Sequence, residues 1–357
     1  MTNHSKNRFV ALDVLRGLTV AFMIIVNNPG TWLKVYPPLL HSSWNGCTPT
    51  DLVYPFFIFC MGVAMAFAFS RFDGLSMPAA KKVIKRSALI FLTGFLIQIF
   101  PFYPLNGESY LCWMQHWRIF GVLQRIALSY LIASLVVLGC RKDPGKVALV
   151  GLGLAALYTA ILLVWGDLTL EGNAVRKIDI ALFGENHLYQ GYGIPFDPEG
   201  LLGSLTGACT AILGFFVGAM VKEKSTGPYL LAYGLCFLVA GKLLDFIIPI
   251  NKPLWSASYV LYAGGWATLA LWIISYLTDA LNMGKLFVPA QAMGMNALLA
   301  FILSGIIPRL FAVFHWFPGR MYFSASKFTS FCYAVLMMLV IFCILWTLYK
   351  KKIVVKL

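Results

Sequence analysis

Ten apolar runs constrain this chain more than any motif does. They lie near residues 9–27, 52–70, 87–101, 117–140, 147–165, 201–221, 228–248, 259–280, 287–307 and 328–349, and the third is the shortest. A helix needs about 20 mostly apolar residues to cross the hydrocarbon of a bilayer, where its backbone groups must be satisfied internally. With 60% hydrophobic and only 12% charged residues among 357, the composition excludes a water-soluble fold. The expectation is an all-α, polytopic membrane protein with about ten transmembrane helices, forming a single domain over residues 1–357. Nothing before residue 9 has the layout of a cleavable signal, so the first run is expected to remain as a span.

Orientation follows from Lys and Arg in the short connections. If the N-terminus is cytoplasmic, the inner segments collect Arg71, Lys81, Lys82, Lys85, Arg86, Arg141, Lys142, Lys146 and the cluster Lys350, Lys351 and Lys352. Both termini are then cytoplasmic, and the acidic residues from Asp167 to Glu199 fall outside. A net charge of +14 is thus chiefly a topology signal, with some attraction to anionic lipid head groups. It does not indicate nucleic-acid binding. Of the eight cysteines, six sit in or at the ends of apolar runs as small hydrophobes; only Cys47 and Cys112 would meet an oxidising compartment, where a bridge between them is one option.

Polar residues inside spans are costly, so each needs a reason. Asp13 and Arg16 share a helix face in the first run as an ion pair, or else Arg16 holds an anionic ligand; Lys242 and Asp245 repeat the pairing. Arg125, about two turns into the fourth run, favours a functional role. The stretch NNPGTWLKVYPPLLHSSWNGCTPTDLVYP, from Asn27 to Pro55, carries polar groups into the hydrocarbon from both sides. Asp51 there suits a helix N-terminus, with Thr48 or Thr50 as the cap. No other segment combines His, Asn and Asp between two spans: His41 has Asn27 and Asn45 as donors and Asp51 as an orienting carboxylate. Those are the parts for acyl transfer, a base or nucleophile with an oxyanion stabiliser.

His41, His116, His187 and His315 lie on four separate loops with no Cys/His pairing, so no metal site is expected. There is no Gly-Xaa-Ser-Xaa-Gly elbow, phosphate loop or dinucleotide fingerprint.

The chain resembles the transmembrane heparan-alpha-glucosaminide N-acetyltransferase family, including its bacterial members. The resemblance rests on LDVLRGLTVAFMIIVNN, HSSWNGCTPTDLVYPFFIFCMG, GVLQRIALSY, FDPEGLLGSL, INKPLWSASYV and GMNAL, in order from about residue 8 to 300. It implies that acetyl-CoA is donated from the cytoplasmic side and that the amino group of a terminal glucosamine-type sugar is acetylated on the other. His41 would be the catalytic histidine and Asn27 would lie beside the thioester; Asp51, the orienting carboxylate of the residue reading, is the third catalytic candidate. A cell inner membrane location would follow, with the catalytic loop facing the periplasm or exterior, and a homodimer is what the family implies. The lysosomal members carry a lumenal N-terminal region without counterpart here, so heparan is not carried over as the acceptor.

The phosphates of acetyl-CoA call for cations at the inner end of a cavity. Arg16, Arg86, Lys285 and, deeper, Arg125 are the candidates. Trp44, Asn45, Asp197, Glu199, Asn251, Lys252 and Trp255 are candidates for acceptor binding, Asp197 and Glu199 being equally suited to capping the helix that follows. Two other readings stand beside the N-acetyltransferase: O-acetylation of a surface glycan, and a transporter of a sugar or anionic solute with Asn27, Arg125 and Gln291 along its path.

Overall fold

A computed structural model describes residues 9–104, 107, 109–224, 227–314 and 325–355; His315 lies outside them. Uninterrupted apolar sequence becomes helix, and Gly, Pro and short polar side chains mark the ends. α1 is Val10–Asn27, and a 3₁₀ turn at Pro49–Leu52 leads into α2, Val53–Ala68. α3 is Met77–Ile99, α4 the short Tyr110–Gln115, and α5 Val122–Gly139. α6, Pro144–Trp165, starts on an Asp143 cap whose carboxylate accepts from the Gly145 and Lys146 amides, and α7 is Ala174–Phe183. α8, Ser204–Lys224, α9, Pro228–Asp245, and α10, Ala257–Ser275, follow. α11, Val288–Met295, α12, Ala297–Val313, and α13, Lys327–Lys350, complete the order. Among the described residues no strand forms; one isolated bridge pairs Gly46 with Asn251.

The chain is an all-α, multi-pass membrane protein. Among the described residues eight helices are long and apolar enough to cross a bilayer, and the pair α11–α12, bent by 68° at Asn296, makes a ninth if it counts as one span. The remaining expected span, 87–101, is the apolar half of α3, whose first half carries Lys81, Lys82, Lys85 and Arg86. α3 nevertheless runs from one end of the bundle to the other. Leu75, just before it, donates to the carbonyl of Leu138 at the end of α5, whereas Gln98 donates to Phe120 before the start of α5.

Burial separates the inner helices from the lipid-facing ones. The central window of α8 is 78% buried against 22% for α6 and 17% for α9, so α8 is the hub of the bundle. Small residues allow its close contact with α2: a Cβ on Gly62 would stand 1.9 Å from the carbonyl oxygen of Ala211. α1 meets α11 the same way, since a Cβ on Gly17 would come within 1.7 Å of the Ala290 carbonyl oxygen. These two seams fix α1 and α2, and so the segment between them, against the rest of the bundle. The expected ion pairs are present, Arg16 with Asp13 at 3.3 Å and Lys242 with Asp245 at 3.0 Å. Cys47 and Cys112 are not bridged.

Candidate active site

The segment between α1 and α2 folds around one carboxylate. Asp51, fully buried, accepts from the backbone amides of Ser42 and Thr48 at 3.0 and 2.9 Å and from the Thr48 hydroxyl at 3.0 Å, all through Oδ2. The expected capping role is therefore real, and Thr48 is the capping partner. The other oxygen does something a cap does not require: Oδ1 lies 2.7 Å from Nδ1 of His41. His41 is half exposed, so its ring is held by Asp51 from one side and open on the other.

A second loop, between α9 and α10, closes over this one. The Gly46 amide donates to the Ile250 carbonyl at 2.7 Å with Gly46 at φ +100°, a conformation that glycine adopts without strain. Nδ2 of Asn251 donates to Oδ1 of Asn45 at 3.1 Å, which brings Lys252 to the histidine. Nζ of Lys252 stands 2.9 Å from Nδ1 and 3.4 Å from Nε2 of His41, and 3.4 Å from Oδ1 of Asp51. Burial pulls the Lys252 ammonium below its ordinary pKa, and the Asp51 and Glu199 carboxylates pull the other way.

The third contributor is the loop before α8. Arg118 grips Asp197 with two hydrogen bonds, of 2.8 and 2.7 Å, and also pairs with Glu199. Both carboxylates thus serve Arg118 rather than capping α8. Asp197 is fully buried, and its Oδ1 also accepts from the Glu199 amide at 2.9 Å. Glu199 also reaches the cavity beside His41 and Lys252. Burial works against its charge, but Arg118, then Arg125 and Lys252, hold the carboxyl below its ordinary pKa.

Asn27, His41, Thr50, Glu199 and Lys252 line one end of a cavity of about 890 Å³. Its middle is apolar, with Met23, Val53, Phe57, Met61, Ile126 and Phe301 among its walls. At the far end stand Arg16, Arg71, Lys82, Lys85 and Arg86, beside Val354 and Val355 of the C-terminal segment. Arg86 additionally lies over the Tyr130 ring, 5.1 Å from its centroid. The cavity therefore joins an imidazole at one end of the bundle to a cluster of five cations at the other.

The sequence candidates divide accordingly. Asn27, His41, Asp51, Glu199 and Lys252 come together, and Arg16 and Arg86 share the basic end. Arg125 and Lys285, expected beside them, do not line the cavity. Arg125 is buried on the His41 side of the bundle, donating to the Gly200 carbonyl at 3.3 Å and lying 5.2 Å from the Trp255 ring centroid; Lys285 is exposed on the turn Met283–Phe287. Trp255 and Asn251, expected at the acceptor, are each 1% exposed. Nε1 of Trp255 donates to Thr210, and Oδ1 of Asn251 accepts from the Leu254 amide, so their polar atoms are spent on the fold. Trp44 donates to the Leu168 carbonyl and packs edge-on against Tyr192 and Phe196. Arg71, Lys82 and Lys85 were not among the candidates. Their signal was present, because residues 82, 85 and 86 recur at the spacing of one helix face. Among the described residues no three His, Cys, Asp or Glu side chains gather as metal ligands.

Residues 8–172 match the family described as heparan-alpha-glucosaminide N-acetyltransferase, catalytic. Two curated relatives bear the name heparan-alpha-glucosaminide N-acetyltransferase. The one from Mus musculus is 28% identical over 372 residues, covering 87% of this chain and 55% of the relative. The one from Homo sapiens is 26% identical over 371 residues, covering 87% and 54%. The chain spans about half the length of the curated relatives it matches.

Proposed function

We propose that this chain, which belongs to the heparan-alpha-glucosaminide N-acetyltransferase-like family, transfers acetyl from cytoplasmic acetyl-CoA to the amino group of a glucosamine-type sugar across the membrane. The observation that carries the reading is the single cavity linking the basic cluster of Arg16, Arg71, Lys82, Lys85 and Arg86 to His41. CoA is long, with an anionic nucleotide at one end, an apolar-to-amide arm, and a thioester at the other. Its phosphates match the cations, its arm the apolar middle, and its thioester the end at Asn27 and His41. In this reading the basic end faces the cytoplasm and the His41 end the exterior or periplasm, as the distribution of Lys and Arg also favours.

His41 acts through Nε2. With the Nδ1 proton donated to Asp51, Nε2 presents its lone pair to the cavity. It then attacks the thioester carbonyl, expelling the CoA thiolate and forming an acetyl-imidazole that the amine consumes, or it takes the amine proton as the amine attacks the thioester directly. Either path needs the same tautomer and a donor for the carbonyl oxygen, a role that the Asn27 amide, which lines the cavity, can fill. Glu199, open to the cavity beside His41, suits an acceptor that arrives as an ammonium.

The test is acetyl transfer by purified protein in detergent with acetyl-CoA and glucosamine. Formation of N-acetylglucosamine that stops in His41→Ala, with the melting temperature unchanged, is the expected result. Full turnover by His41→Ala would remove the histidine from the mechanism. A product with a free amine would replace the reading with O-acetylation, and solute uptake into proteoliposomes without cleavage of acetyl-CoA would replace it with transport.

A further inference from the structure

Nδ1 of His41 faces two partners that require opposite things of it. Oδ1 of Asp51, at 2.7 Å, can only accept a hydrogen bond while it is a carboxylate. Nζ of Lys252, at 2.9 Å, can only donate while it is an ammonium. A neutral imidazole nitrogen carries either a proton or a lone pair, so Nδ1 serves one of them at a time. With the proton on Nδ1, Asp51 is satisfied, the shorter Lys252 contact loses its acceptor and Lys252 is left with the same carboxylate and with Nε2, each at 3.4 Å, while Nε2 keeps its lone pair. With the proton on Nε2, Nδ1 accepts from Lys252 and the lone pair facing the cavity is gone.

We infer that Lys252 is a positioning residue that competes with Asp51 for Nδ1 of His41 and so sets the balance between a reactive and an idle tautomer. The exchange moves one proton between the two ring nitrogens and changes no net charge. Its consequence for acetyl transfer rests on the role given to His41 above; the tautomer balance itself does not.

The charges around Lys252 show how that balance responds to a ligand. Two carboxylates act on its ammonium, Asp51 by contact and Glu199 across the same end of the cavity, with Cys47 also close. Glu199 and Lys252 both line the cavity. An acceptor amine or hydroxyl entering between them changes what Lys252 is paired with, and through Lys252 changes the demand on Nδ1. An empty acceptor position then leaves part of the His41 population idle, which slows acetyl loss to water.

The experiment uses full-length protein labelled with 15N-histidine, reconstituted in lipid at pH 8 without substrates and read by solid-state NMR. The His41 signals are identified by their loss in His41→Gln. In the wild type both ring nitrogens should show shifts averaged between, or split among, the two tautomers. In Lys252→Met, which keeps most of the side-chain stem, Nε2 should move to the unprotonated position and Nδ1 to the protonated one. Lys252→Arg, which retains a cationic donor, should keep the wild-type mixture. The same tautomer ratio in wild type and Lys252→Met overturns the inference, as does an Arg variant that behaves like Met. If Lys252→Met does not fold, Lys252→Gln, a neutral donor of similar length, takes its place, with the mixture expected to move towards the protonated Nδ1. Acetyl-CoA hydrolysis without acceptor should rise several-fold in Lys252→Met, whereas a protein that never uses acetyl-CoA would still give the NMR result.

Discussion

Oδ1 of Asp51 lies 2.7 Å from Nδ1 of His41 while Oδ2 of the same carboxylate holds the Ser42 and Thr48 amides. One buried side chain thus starts a transmembrane helix and orients the histidine before it. Structure and chemistry at this point cannot be separated by position, only by which oxygen is disturbed.

Asp51→Asn should separate them in part. The amide oxygen can keep the cap, but the amide nitrogen is a donor and can no longer accept the Nδ1 proton. Acetyl transfer is expected to fall by about 10² to 10⁴-fold. Asp51→Ala should lose the cap as well and cost about 1 kcal/mol further. Initial rates and thermal melts of both variants decide this, and near wild-type turnover in Asp51→Asn would remove the dyad from the mechanism.

The basic end of the cavity should govern donor affinity and little else. Lys82→Ala and Lys85→Ala are each expected to raise KM for acetyl-CoA by about tenfold at low salt while leaving kcat within about twofold, because charge-assisted phosphate contacts are made equally in ground and transition states. Added salt should shrink the difference. Lys285→Ala, whose side chain stands outside the cavity, should change neither constant.

Arg118→Met should be far more damaging to the fold than its surface-loop position implies. It removes the bidentate partner of Asp197, which is fully buried, and a buried charge stripped of its partner costs about 3 to 5 kcal/mol. Arg118→Lys should rescue poorly, since a point charge cannot reproduce the fork. Thermal stability in a fixed detergent checks both.

Asp179, on α7, should make stability depend on pH. Burial pushes its carboxyl up to about 7, partly offset by the Leu201 amide, and Oδ2 has no hydrogen-bond partner. A carboxyl whose folded value lies above its ordinary 3.8 binds its proton more tightly when folded. Its contribution is therefore full below that ordinary value and is lost as pH rises towards about 7. Asp179→Asn should abolish this slope, so that the variant gains on the wild type between about pH 4 and 7 and holds the gain above. Melting temperature against pH for the two proteins checks the sign.

Much of the fold was legible because the bilayer permits few solutions. Every long apolar run became helix, and the membrane class needed no tertiary information. α3 is the exception that shows the limit. Its basic first half disqualifies it by composition, yet the contacts of Leu75 with Leu138 and of Gln98 with Phe120 carry it from end to end. In sequence the same half counts among the inner connections, and only its packing beside α5 turns Lys82, Lys85 and Arg86 towards one cavity.

At the site, the residue types and spacing of the loop from Asn27 to Asp51 single out His41, Asn27 and Asp51 as candidates, because polar groups near hydrocarbon need a local reason, and the structure places His41 against Asp51 and Asn27 on the same cavity. Trp255, Asn251 and Arg125 looked equally suitable in sequence, where a buried polar side chain that stabilises the fold and one that meets a ligand have the same letters. The sequence by itself determined that the chain is a helical membrane protein and pointed to the loop from Asn27 to Asp51 as the candidate site. Only the tertiary structure decided that Lys252, more than two hundred residues away, stands against His41. Local propensity acts over a few residues, whereas that contact depends on the seams of α1 with α11 and α2 with α8 and on the clasp between Gly46 and Ile250.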